Sequence, residues 1–272
     1  MIYYEADKLE IKVIILNIKI DNLGINYEVT GEGKPVILLH GWLCSLDTMK
    51  PIENILSKKF KVYNVDLPGF GKSDMPENPF STEDFANFLD EFIKKLDIKN
   101  PILIGHSNGG RTAINYAGRN LGEINKIILI DSAGIKPKRG LSYYIKVYTF
   151  KTLKHILNIF PKTEMFNNIR ERLLGKFGSS DYKNSSEVLR KTMSIIINED
   201  QTEILKNINV PTLIIWGEND DATPLSDAKI MEKNIKDSGL VVLKDAGHFS
   251  YLDKYQEFTS IITSFLKEDM ND

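Results

Sequence analysis

The sequence predicts an α/β protein: a mainly parallel, doubly wound sheet with helices on both faces and an inserted helical cap. Three observations lead there. Short, continuously apolar runs alternate with segments of helical period, the pattern of strands buried on both faces and joined by crossover helices. One of those runs, Pro101–Gly105, leads straight into Gly105-His106-Ser107-Asn108-Gly109 and a helix. The alternation stops at residue 135 and resumes only after Pro211.

The elements follow in order. Ile11–Ile20 is rich in β-branched residues and reads as a strand, turning at Asp21–Gly24 into a second strand, Ile25–Thr30. Gly31–Pro35 is a loop, and Val36–Leu39 is the first fully apolar strand. Leu46–Ser57 follows as a helix, then Phe60–Asp66 as a strand ended by Pro68, Gly69 and Gly71. Over Thr82–Leu96, Phe85, Phe88, Leu89, Phe92, Ile93 and Leu96 share one helical face, with Ser81 or Thr82 as the cap. After the strand Pro101–Gly105 come a helix over Gly109–Ala117 and the strand Lys126–Ile130. Residues 135–205 are mostly helical in period; Ser194–Ile197 reads equally as strand or helix. The strand Thr212–Trp216, a helix near Leu225–Ile235, the strand Leu240–Leu243 and a helix over Lys254–Leu266 complete the pattern. The expected core is 1–134 with 206–272, and the expected cap is 135–205.

Composition narrows the function. The 272 residues carry 35 Lys plus Arg against 37 Asp plus Glu, a net charge of −2 that argues against a generally basic nucleic-acid binder. The single cysteine, Cys44, rules out a disulfide framework within the chain and a zinc site built from several thiolates. The start MIYYEADKLE lacks the order of a signal peptide, and no apolar run is long enough to span a bilayer, so a cytoplasmic location is expected. No dinucleotide fingerprint follows the first strand, and Gly69-Phe70-Gly71-Lys72-Ser73 lacks the spacing of a phosphate loop. No metal or cofactor is therefore assigned.

The chemistry centres on Ser107. In G-x-S-x-G between strand and helix, small residues two positions either side allow a strained turn that holds the serine oxygen above the sheet edge. A serine hydroxyl needs a neighbouring base. Of four histidines, His106 points away along the turn, His40 sits in a strand-end loop and His155 lies in the insertion. His248, in Asp245-Ala246-Gly247-His248-Phe249 after the last strand, reaches the same sheet edge as Ser107. Asp220, after the strand Thr212–Trp216, is the preferred acid, in the order Ser, acid, His. Asp221 is adjacent; Asp131, in Ile130-Asp131-Ser132-Ala133, is the main rival and also reads as a turn or capping residue. Backbone amides of Trp42 and Asn108 are the expected oxyanion donors.

These motifs resemble the α/β-hydrolase superfamily: LLHGW (38–42), DLPGFGKSD (66–74), GHSNGG (105–110), WGENDDATP (216–224) and AGHF (246–249), in the family's order. The resemblance implies a serine hydrolase with the triad Ser107, Asp220 and His248, a substrate bound between cap and core, and many candidate substrates on one fold. Ser107 argues against the family's haloalkane dehalogenases and epoxide hydrolases, which use aspartate. Family carbon–carbon hydrolases often carry Trp after the catalytic His, where this chain has Phe249. The expected activity is hydrolysis of a small carboxylic ester through an acyl-enzyme. The alternatives are carbon–carbon hydrolysis of a vinylogous diketone and a ligand receptor with a slow triad. Residues 135–178 carry ten Lys or Arg against Glu164 and Glu171, a net +8. Solvated helix faces explain it most simply; attraction of an anionic substrate or membrane surface is the sharper reading.

Overall fold

The computed structural model describes residues 14–137 and 186–270. The expectations placed on residues 138–185, among them the basic stretch, His155 and most of the cap, lie outside the described residues. The strands are β1 (Ile14–Ile20), β2 (Leu23–Thr30), β3 (Pro35–Leu39), β4 (Lys61–Val65), β5 (Ile102–His106), β6 (Lys126–Ile130), β7 (Thr212–Gly217) and β8 (Ser238–Leu243). The helices are α1 (Leu46–Leu56), α2 (Thr82–Lys95), α3 (Asn108–Gly118), α4 (Glu187–Ile196), α5 (Leu225–Asn234), α6 (Ser250–Asp253) and α7 (Tyr255–Phe265).

All eight strands form one sheet in the order β1-β2-β4-β3-β5-β6-β7-β8. β1 pairs antiparallel with β2, and β2 with β4; every other pairing is parallel. The apolar runs become these parallel strands because neither face meets water. Val36, Leu38, Ile102, Ile104, Ile128, Ile130 and Ile215 turn to one face, where Met49, Ile52 and Leu56 of α1 and Phe258 and Ile262 of α7 cover them. The alternate residues Ile37, Leu39, Leu103, Leu129 and Ile214 are equally buried, on the face that α3 packs against. Chain order reverses at β3. The chain leaves β3 towards β4 and leaves β5 towards β6, so the loops after β3 and β5 part to opposite faces. That divergence opens a crevice at the carboxyl ends of the strands.

Local signals set the boundaries. Ser81 caps α2: its hydroxyl accepts from Asp84 N at 3.2 Å, and Asp84 Oδ2 accepts from Ser81 N at 2.7 Å, a reciprocal capping box. The chain divides into two compact units, one running to Ile135 and resuming at Glu199, the other Lys136–Asn198. Within the second, α4 is capped by Ser186 and buries Leu189, Thr192 and Ile196, one helical face. Ser194–Ile197 is thus helix and its C-cap, and the described part of 135–205 contributes no strand to the sheet. Residues 199–207 belong to the first unit. Gln201 Nε2 donates to Arg111 O at 3.1 Å and Asn207 Nδ2 to Gly118 O at 2.9 Å, tying them to α3.

The β5–α3 turn admits no side chains at its glycines. A Cβ at Gly109 would lie 2.0 Å from Leu39 O, whereas one at Gly239, in edge strand β8, would meet nothing within 4 Å. Gly109→Ala should therefore lower stability in urea denaturation by at least about 1–3 kcal/mol through overpacking. Gly239→Ala should be neutral or raise it by about 0.5 kcal/mol by restricting the unfolded chain. Similar midpoints for the two variants would contradict the packing described.

Candidate active site

Register brings the site together. Leu39 pairs with Gly105, His106 with Ile130 and Gly217 with Leu243, so β3, β5, β6, β7 and β8 all end at one edge. The loops leaving that edge carry Trp42, Ser107, Asp131, Asp220 and His248.

Ser107 has φ 50° and ψ −112°, a conformation that costs a side-chain-bearing residue on the order of 1–3 kcal/mol. Its N–H donates to Ile130 O at 3.0 Å, and its carbonyl accepts from Arg111 N at 3.1 Å and Ala133 N at 3.0 Å. The turn is thus held from β6 and from α3. It needs Gly105 and Gly110 as well as Gly109, because Cβ atoms there would lie 2.4 Å from Gly110 N and 2.1 Å from Ser132 Oγ.

His248 Nε2 lies 3.0 Å from Ser107 Oγ, and His248 Nδ1 lies 2.8 Å from Asp220 Oδ2. A carboxylate can only accept, so Nδ1 carries the proton and Nε2 faces the serine with its lone pair. Asp220 Oδ1 accepts from Ala222 N and Thr223 N, both at 2.9 Å, and Oδ2 accepts from the Thr223 hydroxyl at 2.7 Å. Burial pushes the Asp220 carboxyl up. The hydrogen bonds from His248 and Thr223 outweigh it and leave the group below the usual carboxylate range. Asp220 is therefore an anion at neutral pH.

Asp131, the rival acid, makes no contact with His248. Its Oδ1 accepts from Gly217 N at 2.8 Å, and its Oδ2 from Ser250 N at 3.0 Å and Ser250 Oγ at 2.6 Å. It clamps the end of β7 to the segment after His248, and so fixes both loops that carry Asp220 and His248. Complete burial drives its carboxyl up to about 7 against those three donors.

His106 differs from the expectation that it points away. The ring lies under the last loop, where Nε2–H donates to His248 O at 2.7 Å. Burial first, and the neighbouring His248 second, push it down to about 3, so it stays neutral and adds no charge beside His248. Thr223 and Ser250 were not singled out from sequence, and His106 was set aside. Their only signal was position within two or three residues of the motif residues.

The expected oxyanion donors flank the crevice. Asn108 opens α3, where an amide has no intrahelical acceptor. Among the described residues the Trp42 N–H donates to no protein acceptor. The β3 loop passes against the nucleophile: a Cβ at Gly41 would lie 3.3 Å from Ser107 Cβ.

The titrations have opposite signs. Asp131 is raised above its unfolded value of about 3.9, so stability falls as pH rises from about 4 to about 7. His106 is lowered, so stability falls as pH drops below about 6.5 towards 3. In Asp131→Asn only the first effect disappears. Subtracting the two urea-stability profiles over pH 4–8 should leave a decline that ends near pH 7. Parallel profiles would show that Asp131 is ionised throughout.

Residues 34–255 match the alpha/beta hydrolase fold family. The chain is 27% identical over 268 residues to the 2-hydroxy-6-oxo-6-phenylhexa-2,4-dienoate hydrolase of Comamonas testosteroni, covering 90% of this chain and 91% of that one. It is 27% identical over 275 residues to the 2-hydroxy-6-oxononadienedioate/2-hydroxy-6-oxononatrienedioate hydrolase 1 of Pseudomonas putida, covering 90% and 92%. Among solved structures, the esterase EaEST from Exiguobacterium antarcticum is similar at a TM-score of 0.72 and 28% identity, over 91% of this chain and 97% of that one. With its sheet, its turn at Ser107 and this match over most of its length, the chain belongs to the alpha/beta hydrolase fold family and is a hydrolytic enzyme.

Proposed function

We propose that the protein is a serine hydrolase that attacks a carbonyl carbon through Ser107, with His248 as base and Asp220 as the acid that orients it. The observation that carries the reading is the unbroken chain of contacts from Ser107 Oγ through His248 to Asp220, at 3.0 and 2.8 Å. Ser107 Oγ bonds to the carbonyl carbon as His248 Nε2 takes its proton. The oxygen, now negative, is held by the Trp42 and Asn108 amides. His248 returns the proton to the leaving atom, and the bond to that atom breaks. Water, deprotonated by His248, then attacks the acyl-enzyme, and Ser107 regains its proton as the acid product leaves.

The leaving atom distinguishes the candidate reactions. Ester hydrolysis, the first expectation from sequence, releases an alcohol. The relatives support the alternative better. A 2-hydroxy-6-oxodienoate has no ester or amide bond, and the bond that attack at its 6-oxo carbon can cleave is carbon–carbon. We therefore favour hydrolysis of a vinylogous diketone, in which His248 protonates carbon. Phe249 after the base and the likeness to EaEST favour the ester as second reading. In either case we propose that the insertion 135–205 acts as the cap and sets substrate choice.

Ser107→Ala should retain the fold and lose on the order of 10³-fold or more in kcat. Asp220→Asn should lose about 10³–10⁴-fold by presenting the wrong His248 tautomer. Asp131→Asn should lose about 10²-fold or less, short of the Asp220→Asn loss, because it loosens loops and touches no reacting atom. A folded Ser107→Ala enzyme with wild-type turnover would falsify the mechanism. Substrate class is read from kcat/KM for a 2-hydroxy-6-oxodienoate, followed by loss of its absorbance, against a p-nitrophenyl ester of similar acyl size. We expect the dienoate to win by about 10² or more, the scale on which an apolar pocket discriminates between substrates by fit. A preference for the ester would install the second reading.

A further inference from the structure

Two parts have no role in that chemistry: the buried His40 ring and the loop 66–74, which is buried at residues 66–68 and 70. The side chain of His40 is fully buried. Its Nδ1 lies 2.7 Å from Gly41 O and its Nε2 lies 3.0 Å from Leu67 N. A carbonyl oxygen only accepts and a backbone N–H only donates, so the contacts specify one neutral tautomer, with the proton on Nδ1. A proton on Nε2 would set N–H against N–H. Phe70 packs its ring against both His40, at 5.7 Å, and Trp42, at 5.0 Å.

The consequence lies in the next peptide group. Gly41 C=O and Trp42 N–H belong to one trans peptide plane and point in opposite directions. Whatever fixes the carbonyl therefore aims the amide. Cys44 N also donates to Gly41 O, at 3.2 Å, but from within the same loop; His40 is the tie to Leu67. Leu67 is itself held firmly. The preceding Asp66 carboxylate accepts from Leu46 N at 2.7 Å, Asn26 Nδ2 at 2.8 Å and Lys72 N at 2.9 Å. Gly71, at φ +56°, makes room for it, since a Cβ there would lie 2.2 Å from that carboxylate.

We propose that His40 is a positioning residue that transmits the rigidity of the loop 66–74 to the Trp42 amide and so aims that donor at the reacting carbonyl oxygen. The inference rests on the reading of the Trp42 amide as an oxyanion donor. It assigns the motif DLPGFGKSD a task at the active site without contact to substrate.

Two substitutions separate the ring's two bonds. Asn places an amide N–H near the Nδ1 position and keeps the bond to Gly41 O. Gln places an oxygen near the Nε2 position and keeps the bond from Leu67 N. Each loses one buried hydrogen bond, so their stabilities should be similar. His40→Gln should lose about 10²-fold in kcat with KM within about threefold, the lower end of what removing an oxyanion donor costs. A boronic acid that mimics the tetrahedral state should lose affinity in the same proportion. His40→Asn breaks the other link, the bond from Leu67 N, and should also lose about tenfold or more in kcat and in boronic-acid affinity together, again with KM within about threefold. Wild-type kcat in either folded variant, or losses that fall on KM with kcat and boronic-acid affinity unchanged, would overturn the proposal. If either variant fails to fold, long-range ¹H–¹⁵N correlation on the wild-type protein decides: His40 must carry its proton on Nδ1, and a proton on Nε2 refutes the proposal. Failure of the triad reading shows separately, as turnover that survives Ser107→Ala.

Discussion

The structure depends on one strained residue. Ser107 sits at φ 50° and ψ −112° between a buried strand and a buried helix, and the turn can close only if no side chain stands at 105, 109 or 110. Each of those glycines faces a different neighbour: the helix start, the end of β3 and Ser132 on the β6 loop. The strain is thus held by three elements at once, which is how a local cost of a few kcal/mol persists in a protein of ordinary stability. In return the serine oxygen stands clear of the sheet, at the amino end of a helix and beside the crevice that the reversal of strand order opens. His248, Asp220 and the amides proposed as oxyanion donors are arranged around that fixed point.

Much of this was legible in the sequence because the informative interactions are local. A strand buried on both faces writes an unbroken apolar run, and Val36–Leu39, Lys126–Ile130 and Thr212–Trp216 each lie within a residue of the strands formed. The glycine spacing about Ser107 is a steric requirement expressed within six residues. Asp220 and His248 were legible through their place after the last two strands, since parallel topology delivers those loops to the Ser107 edge. The rival Asp131 could not be settled that way, because it also ends a parallel strand. What separates the two acids is direction: Asp220 turns to His248, whereas Asp131 turns to Gly217 and Ser250.

What sequence did not reveal are contacts between segments far apart in the chain. His106 reaches the carbonyl of His248, 142 positions away, and Ser250 reaches Asp131 across 119. No pattern of period or spacing encodes such a pair. The reading of His106 as turned away was reasonable for a side chain alternating with Ser107, and it failed because the space beneath the turn is filled by the His248 loop. Most of the insertion 135–205 stays with its composition alone. Its expected charge effect and its aromatic residues fall on 138–185, outside the described residues.

The polar groups around the base form a division of labour that follows from burial. In the proposed reaction His248 gains a proton during attack, so a carboxylate beside it must already be ionised, and three further donors keep Asp220 so. The groups that only hold shape must not compete for that proton. His106 is fully buried and stays neutral, and Asp131 directs both oxygens away from the imidazole. This arrangement stabilises an imidazolium whatever the leaving atom is, and so it serves oxygen and carbon leaving groups alike. Selectivity between them must then come from surfaces that meet the leaving group. Among the described residues Phe249 is an apolar surface near His248: its ring packs on His106 at 4.8 Å and is 36% exposed. Rotation of a bound chain away from Nε2 would leave the carbanion without its acid, which an alkoxide, being readily protonated by water, tolerates far better.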